Sequence, residues 1–174
     1  MIPILCSLIA MTSATLLNIN QINTMVDVHN FYRASVSPPA KNMQAMQWAY
    51  PVATTANTWA SKCIWGHSGT PNVGENLYVT SVRTPIAGNF NPTPPVNSWG
   101  NEKQFYFFSN NTCVPGHVCG HYTQIIWANS INMGCAFQDC ATIQNLPWPN
   151  GGTMIVCQYT PPGNYYGQRP YVPA

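Results

Sequence analysis

Three short segments gather the residues able to do chemistry. One is His67-Ser68 followed by Gly74-Glu75-Asn76-Leu77-Tyr78. The second is Trp99-Gly100-Asn101-Glu102, and the third is Gly120-His121-Tyr122-Thr123-Gln124. Between them they hold two of the four histidines and two of the four acids; the other acids are Asp27 and Asp139. Neutral imidazole nitrogens and carboxylate oxygens are ordinary zinc ligands, and an open zinc site completes its shell with water. The same four groups can instead make a hydrogen-bonded polar cluster that joins three elements without metal. Acid–base catalysis is the third option, since histidine and glutamate move protons and zinc-bound water attacks carbonyls. The sequence carries no His-Glu-x-x-His motif. Ser68 adjoins His67, but sequence neighbours rarely face one another in nucleophile–base geometry, so Ser68 is expected to cap a turn. No catalytic residue is expected.

Helices and strands must bring these segments together. Ile22 to Arg33 reads as a helix, with Ile22, Met25, Val26, His29 and Tyr32 at three- and four-residue steps. Pro38-Pro39 stops it. A second helix is expected over Val52 to Cys63, with Val52, Ala56, Trp59, Ala60 and Cys63 on one stripe. Arg83 to Pro95 carries four prolines and a glycine and reads as a loop. A third helix is expected from Val96 to Phe107. Tyr122 to Trp127, Met133 to Phe137 and Thr153 to Tyr159 read as strands, with Asn150-Gly151-Gly152 turning between the last two. Helices first and strands afterwards indicate an α+β layered domain. The tail from Pro161 to Ala174 is expected to lie extended on the surface.

The chain has 174 residues, enough for one domain, and 45% of them are hydrophobic, which indicates a globular protein. Only 6% are charged, and the net charge is +2. The Lys and Arg residues are scattered, so there is no basic stripe for a phosphate backbone and nucleic acid is not an expected partner. Residues 1–14 read as a secretory signal: Ile2 to Ala10 is largely apolar and Thr12-Ser13-Ala14 offers small residues for cleavage, although no Lys or Arg precedes the run. The run is too short to span a bilayer, and no transmembrane segment is expected. Cys6 would leave with the signal. The remaining six, Cys63, Cys113, Cys119, Cys135, Cys140 and Cys157, form an even set suited to three disulfides in an oxidising compartment, with the pairing left open by spacing. That setting argues against a zinc finger built from Cys63, His67, Cys119 and His121. Asn110-Asn111-Thr112 is a glycosylation sequon at Asn110, whereas Asn91-Pro92-Thr93 is blocked by proline. His29 is expected at the edge of the core, His117 in solvent, and Trp59, Trp65, Trp99 and Trp127 mostly in the core.

These motifs resemble the CAP superfamily, which includes cysteine-rich secretory proteins, insect venom allergens and plant pathogenesis-related class 1 proteins. VDVHNFYRASVSPPAKNMQAMQW, Val26 to Trp48, is similar to the animal secretory proteins. WGNEKQFYFFSNNTCVPGHVCGHYTQIIW, Trp99 to Trp127, and VCQYTPPGNYYGQRPY, Val156 to Tyr171, are similar to the plant proteins. The resemblance covers residues 22–171. It implies a three-layer α-β-α sandwich with a central cleft, stapled by Cys63–Cys140, Cys113–Cys119 and Cys135–Cys157. It places His67, Glu75, Glu102 and His121 in the cleft, with a non-catalytic Zn2+ on the two histidines and the glutamates orienting them.

The resemblance also implies an extracellular binding role. One class of partner is a lipid or sterol, for which Leu77, Tyr78, Val79, Ile86 and Phe90 are the candidates. The other is an extracellular protein such as a receptor, in a defence, venom or reproductive setting. A metal-dependent protease is the weaker alternative. Channel-blocking relatives carry an added C-terminal cysteine-rich domain; no cysteine follows Cys157, so a CAP domain alone is expected. Some plant members release a C-terminal peptide, here starting near Thr160, although Gln158 and Val172-Pro173-Ala174 depart from that pattern.

Overall fold

Asn18 and Gln21 begin the first helix. The Asn18 side-chain oxygen accepts the Gln21 amide at 3.0 Å, and Gln21 Oε1 accepts the Asn18 amide at 2.9 Å. This reciprocal cap starts α1 at Ile19–Ala34, a turn earlier than periodicity suggests. The computed structural model describes residues 15–174. The secretory-signal reading of residues 1–14, with Cys6, lies outside them.

The remaining elements, in order, are β2 (Gln47–Trp48), α2 (Tyr50–Ala60), β3 (Gly74–Thr80), α3 (Thr93–Gly100), β4 (Tyr106–Phe107), β5 (Thr112–Cys113), α4 (Gly120–Ile125), β6 (Asn132–Cys140) and β7 (Gly152–Thr160), with β1 (Thr15–Leu16) ahead of α1. The main sheet runs β1-β6-β7-β3, all antiparallel, and β2 adds a short parallel pairing to β6. Strand alternation divides its side chains. Leu77, Ala136, Val156 and Met154 face α2, where Ala56 and Ala60 complete one core. Cys135, Phe137, Ile155, Cys157 and Tyr159 face the other way, toward Met25, Tyr32, Val96, Trp99 and Ile125 of α1, α3 and α4. This is the expected three-layer sandwich. The layer of α2 sits close because Gly134 has no side chain: a Cβ there would lie 2.0 Å from the Ala53 backbone nitrogen.

The three disulfides pair as expected. Cys135 and Cys157 are directly opposed on β6 and β7. Cys63–Cys140 closes 77 residues and joins the end of α2 to β6. By the chain-entropy model that link contributes about 4–5 kcal/mol, roughly twice the contribution of the short Cys113–Cys119 loop.

Several elements differ from the sequence reading. The third helix begins at Thr93, because Pro94 and Pro95 occupy its first turn, where no amide partner is needed. It ends at Gly100 and gives way to a 3₁₀ turn over Asn101–Phe105 and then β4, so no helix continues to Phe107. The segment Tyr122 to Trp127, read as a strand, belongs instead to the short helix α4 and its exit. Strand β3 was not anticipated. The tail is extended, as expected, and is fastened: Ala128 donates to Pro170 O, Tyr171 donates to Pro38 O, and Lys41 and Val172 close onto one another's loops.

Helix α4 ends on a buried cation. Arg33 is 2% exposed, and its five N–H groups reach only carbonyls: Gln44 twice, Ile125, Trp127 and Ala128, at 2.6–3.1 Å. A guanidinium against the last carbonyls of a helix also opposes the negative end of its dipole. Burial lowers the Arg33 pKa to about 10, so it stays charged at neutral pH. His29 is fully buried rather than at the core edge. Its Nδ1–H donates to Met25 O at 2.7 Å, and its Nε2 accepts from the Tyr159 hydroxyl at 2.9 Å.

Two outcomes follow from these buried groups. Arg33→Met leaves the carbonyls at the end of α4 without donors and should cost at least about 3 kcal/mol in urea unfolding; a loss below about 1 kcal/mol would mean they find other partners. Burial holds the His29 pKa down at about 4, against 6.5 when unfolded. Between those values the unfolded chain holds the extra proton, so stability falls as pH drops through this window, by up to about 3 kcal/mol. Glu75 and Asp139 have lowered pKa values and begin to lose stability only below their ordinary 4.5 and 3.8. His67, held above 6.5, acts in the opposite sense and mainly above that value, so the decline between about pH 6 and 5 belongs to His29, and an unfolding midpoint that stays flat over that interval would contradict it.

Candidate functional site

Glu75 lies at the start of β3 and its side chain is 6% exposed. Its Oε1 accepts the His67 Nδ1–H at 2.9 Å and the Ser68 amide at 2.8 Å. Its Oε2 accepts the Gln158 Nε2–H at 2.8 Å. Gln158 is fully buried at the paired position on β7; it also donates to Ser68 Oγ and accepts the Thr55 hydroxyl from α2. Burial pushes the Glu75 carboxyl upward, but hydrogen bonds from His67, Gln158 and Ser68 together outweigh it and hold the carboxyl below its ordinary pKa. The hydrogen bond to Glu75 raises His67 above the usual imidazole value despite partial burial. The His67 side chain is 67% exposed.

Glu102 repeats this arrangement in the other helical layer. Its Oε1 accepts the His121 Nδ1–H at 2.6 Å, and its Oε2 accepts the backbone amides of His121 and Tyr122 at 3.0 and 3.1 Å. The 3₁₀ turn after α3 aims the carboxylate at the first turn of α4, where amides and dipole both favour an anion. The Trp99 ring stacks beside His121 at 6.2 Å, and its Nε1–H donates to Leu77 O on β3.

Two consecutive residues of β3 connect the clamps. Glu75 points toward α2, while Asn76 points to the opposite layer and donates to His121 O at 3.0 Å. The two His–Glu pairs therefore flank the start of an edge strand. Helix α4 approaches β3 closely there because a Cβ at Gly74 would lie 2.1 Å from Gln124 Oε1. When each imidazole is neutral, Nδ1 carries the proton to its glutamate and Nε2 keeps the lone pair. The glutamates already take three donors apiece, so they orient the imidazoles, and the ligand atoms on offer are the two Nε2 nitrogens. Among the described residues no three His, Cys, Asp or Glu side chains group to hold an ion. Two imidazole nitrogens are fewer than the three or four protein ligands of ordinary zinc sites, so a closed four-ligand zinc does not fit.

Ser68 caps a turn, accepting the Thr70 amide at 3.0 Å, as expected. His117 is exposed and stacks on Phe105 at 3.7 Å. Asn110 is exposed, and the Thr112 hydroxyl donates to its side-chain oxygen at 2.8 Å. The apolar candidates Leu77, Tyr78, Ile86 and Phe90 do not form one groove. Leu77 is buried against α2, Tyr78 lies on the opposite face of the strand, Phe90 is 7% exposed and stacked on Phe137 at 4.5 Å, and Ile86 stands 63% exposed. Alternation along β3 separates residues that sequence adjacency had grouped. Gln158, Asn76 and Arg33 were missed as site residues. A lone amide in the apolar run VCQYT was the available signal for Gln158.

A model of the cysteine-rich secretory protein family, CAP, matches residues 26–159. Peptidase inhibitor 16 of Mus musculus is 40% identical over 161 residues, covering 90% of the chain and 30% of the relative. A PR-1 type pathogenesis-related protein of Sambucus nigra is 40% identical over 156 residues, covering 87% and 83%. The crystal structure of Na-ASP-1 superposes with a TM-score of 0.76 at 30% identity, covering 95% of the chain and 44% of that structure. The chain spans about a third of the length of the mouse and human peptidase inhibitor 16 proteins.

Glu102→Ala should cost about 2–4 kcal/mol in chemical denaturation, since two backbone amides and an imidazole lose a charged acceptor. The exposed Asp27→Ala should change stability by less than about 0.5 kcal/mol. Equal effects of the two substitutions would contradict the clamp.

Proposed function

The chain belongs to the cysteine-rich secretory protein family, and on that premise we propose that it acts outside the cell as a non-enzymatic binding module. In this reading His67 and His121 hold a divalent zinc ion and the fold recognises an extracellular protein. The observation that carries the metal reading is the pair of matched clamps, each of which commits Nδ1 to a glutamate and leaves Nε2 as the donor. Carboxylate–histidine pairing of this kind orients metal-binding imidazoles and raises their basicity. Zinc, when bound, would supply a positive charge and a coordination place for water or a partner's oxygen.

The polypeptide's own part is positional. Glu75 and Gln158 hold His67 to the sheet, and Glu102 holds His121 to α4. Ser68 does not sit as an activated nucleophile, because its Oγ bonds Thr70 and Gln158 while His67 Nδ1 turns to Glu75. That arrangement supports a binding role over acyl transfer. A protein partner is favoured over a lipid, because Leu77 and Phe90 are spent in two separate cores. An extracellular location is supported by the three disulfides. Among the described residues, no helix is long and apolar enough to cross a membrane.

Zinc binding, measured by competition with a chromophoric chelator, should be lost in the His67→Ala/His121→Ala double variant. Glu102→Gln should weaken it about 10–100-fold. Equal zinc uptake by the wild type and the double variant would remove the metal reading.

A further inference from the structure

A cavity of about 330 Å³ lies between the C-terminal tail, the β4–β5 hairpin and the outer side of α4. Its volume is at the lower end of small-ligand pockets, roughly 300–1,000 Å³. Tyr106 and Tyr165 supply aromatic faces, Trp127 lies buried beneath them, and Asn111, Thr123 and Asn164 supply amides and a hydroxyl. No Lys, Arg, Asp or Glu is among its lining residues. The Trp127 and Tyr165 rings stand 6.1 Å apart, tilted by 54°, and Tyr165 is half exposed.

The amides are fixed in place. Asn111 donates to Gln168 O at 3.0 Å and accepts the Tyr106 hydroxyl at 2.7 Å. Asn164 donates to Gly120 O at 2.8 Å and accepts the Thr123 hydroxyl at 2.7 Å. A carboxamide has two N–H groups and two oxygen lone pairs. Each of these side chains therefore keeps one donor and one acceptor, with little rotamer freedom left to lose on binding.

Fixed donor–acceptor pairs beside aromatic faces, with the His117 imidazole as the one lining group able to become cationic, suit one ligand chemistry. Sugar hydroxyls need donors and acceptors together, and the C–H face of a pyranose packs on a ring. An anionic ligand would go unneutralised here, and an acyl chain would strand the amides. We propose that this cavity is a binding site for a neutral pyranose sugar. The sugar can come from a glycan on Asn110, whose neighbours Asn111 and Thr112 line the cavity, or from a glycan on another molecule.

The test uses the full chain with Asn110→Gln, in zinc-free buffer, titrated with N,N′-diacetylchitobiose and followed by amide NMR. Saturable shifts at Asn111, Asn164 and Gln168 are expected, reduced at least tenfold in affinity by Tyr165→Ala, while a heparin disaccharide causes none. Glycosylated wild type separates the sources: shifts already in place and insensitive to chitobiose mean that its own glycan occupies the cavity, whereas the same titration curve means an external glycan. Absence of saturable shifts at millimolar chitobiose, or an unchanged affinity in Tyr165→Ala, would overturn the proposal.

Discussion

Each glutamate of the site accepts an imidazole N–H and a neighbouring backbone N–H with one carboxylate, and the rest of the arrangement is built around those two contacts. Burying a carboxylate is costly unless donors surround it. In a chain with four acids, two are placed where three donors apiece offset that cost. Glu75 joins the turn at His67-Ser68 to β3, and Glu102 joins the 3₁₀ turn to α4. Gln158 and Asn76 then tie both clamps to the sheet, one from each face.

Helix α4 shows how far this dependence reaches. Six residues are too few for a helix to persist by itself. This one is held at both ends by charge: Glu102 takes its first amides, and Arg33 takes carbonyls at its last turn and beyond. The position of His121 is therefore set partly by an arginine on α1, in a different segment of the chain. The same logic explains the tail, whose residues donate to or accept from the loops around α4 and thereby wall the sugar-sized cavity.

Much of this was legible in the residues. The amphipathic spacing of α1 and α2, the three late apolar runs and the even cysteine set pointed to an α+β domain with three disulfides. The resemblance carried by GENLY, WGNE and GHYTQIIW singled out the four residues that form the two His–Glu pairs. What periodicity could not supply was anything decided by distant partners. Tyr122 to Trp127 has strand-like composition, yet Glu102 and Arg33 make it helical. Pro94-Pro95 looks like a break, yet both fit a helix start. Leu77 and Tyr78 look like one apolar patch, yet the pleat of β3 sends them into separate cores.

The central claim is that the two carboxylates fix which ring nitrogen carries the proton. Long-range proton–nitrogen correlation spectra of the wild-type imidazoles, at a pH where both are neutral, test it directly. The account predicts that His67 and His121 are both Nδ1–H tautomers. A predominance of the Nε2–H form at either residue, or free exchange between the two forms, would contradict it.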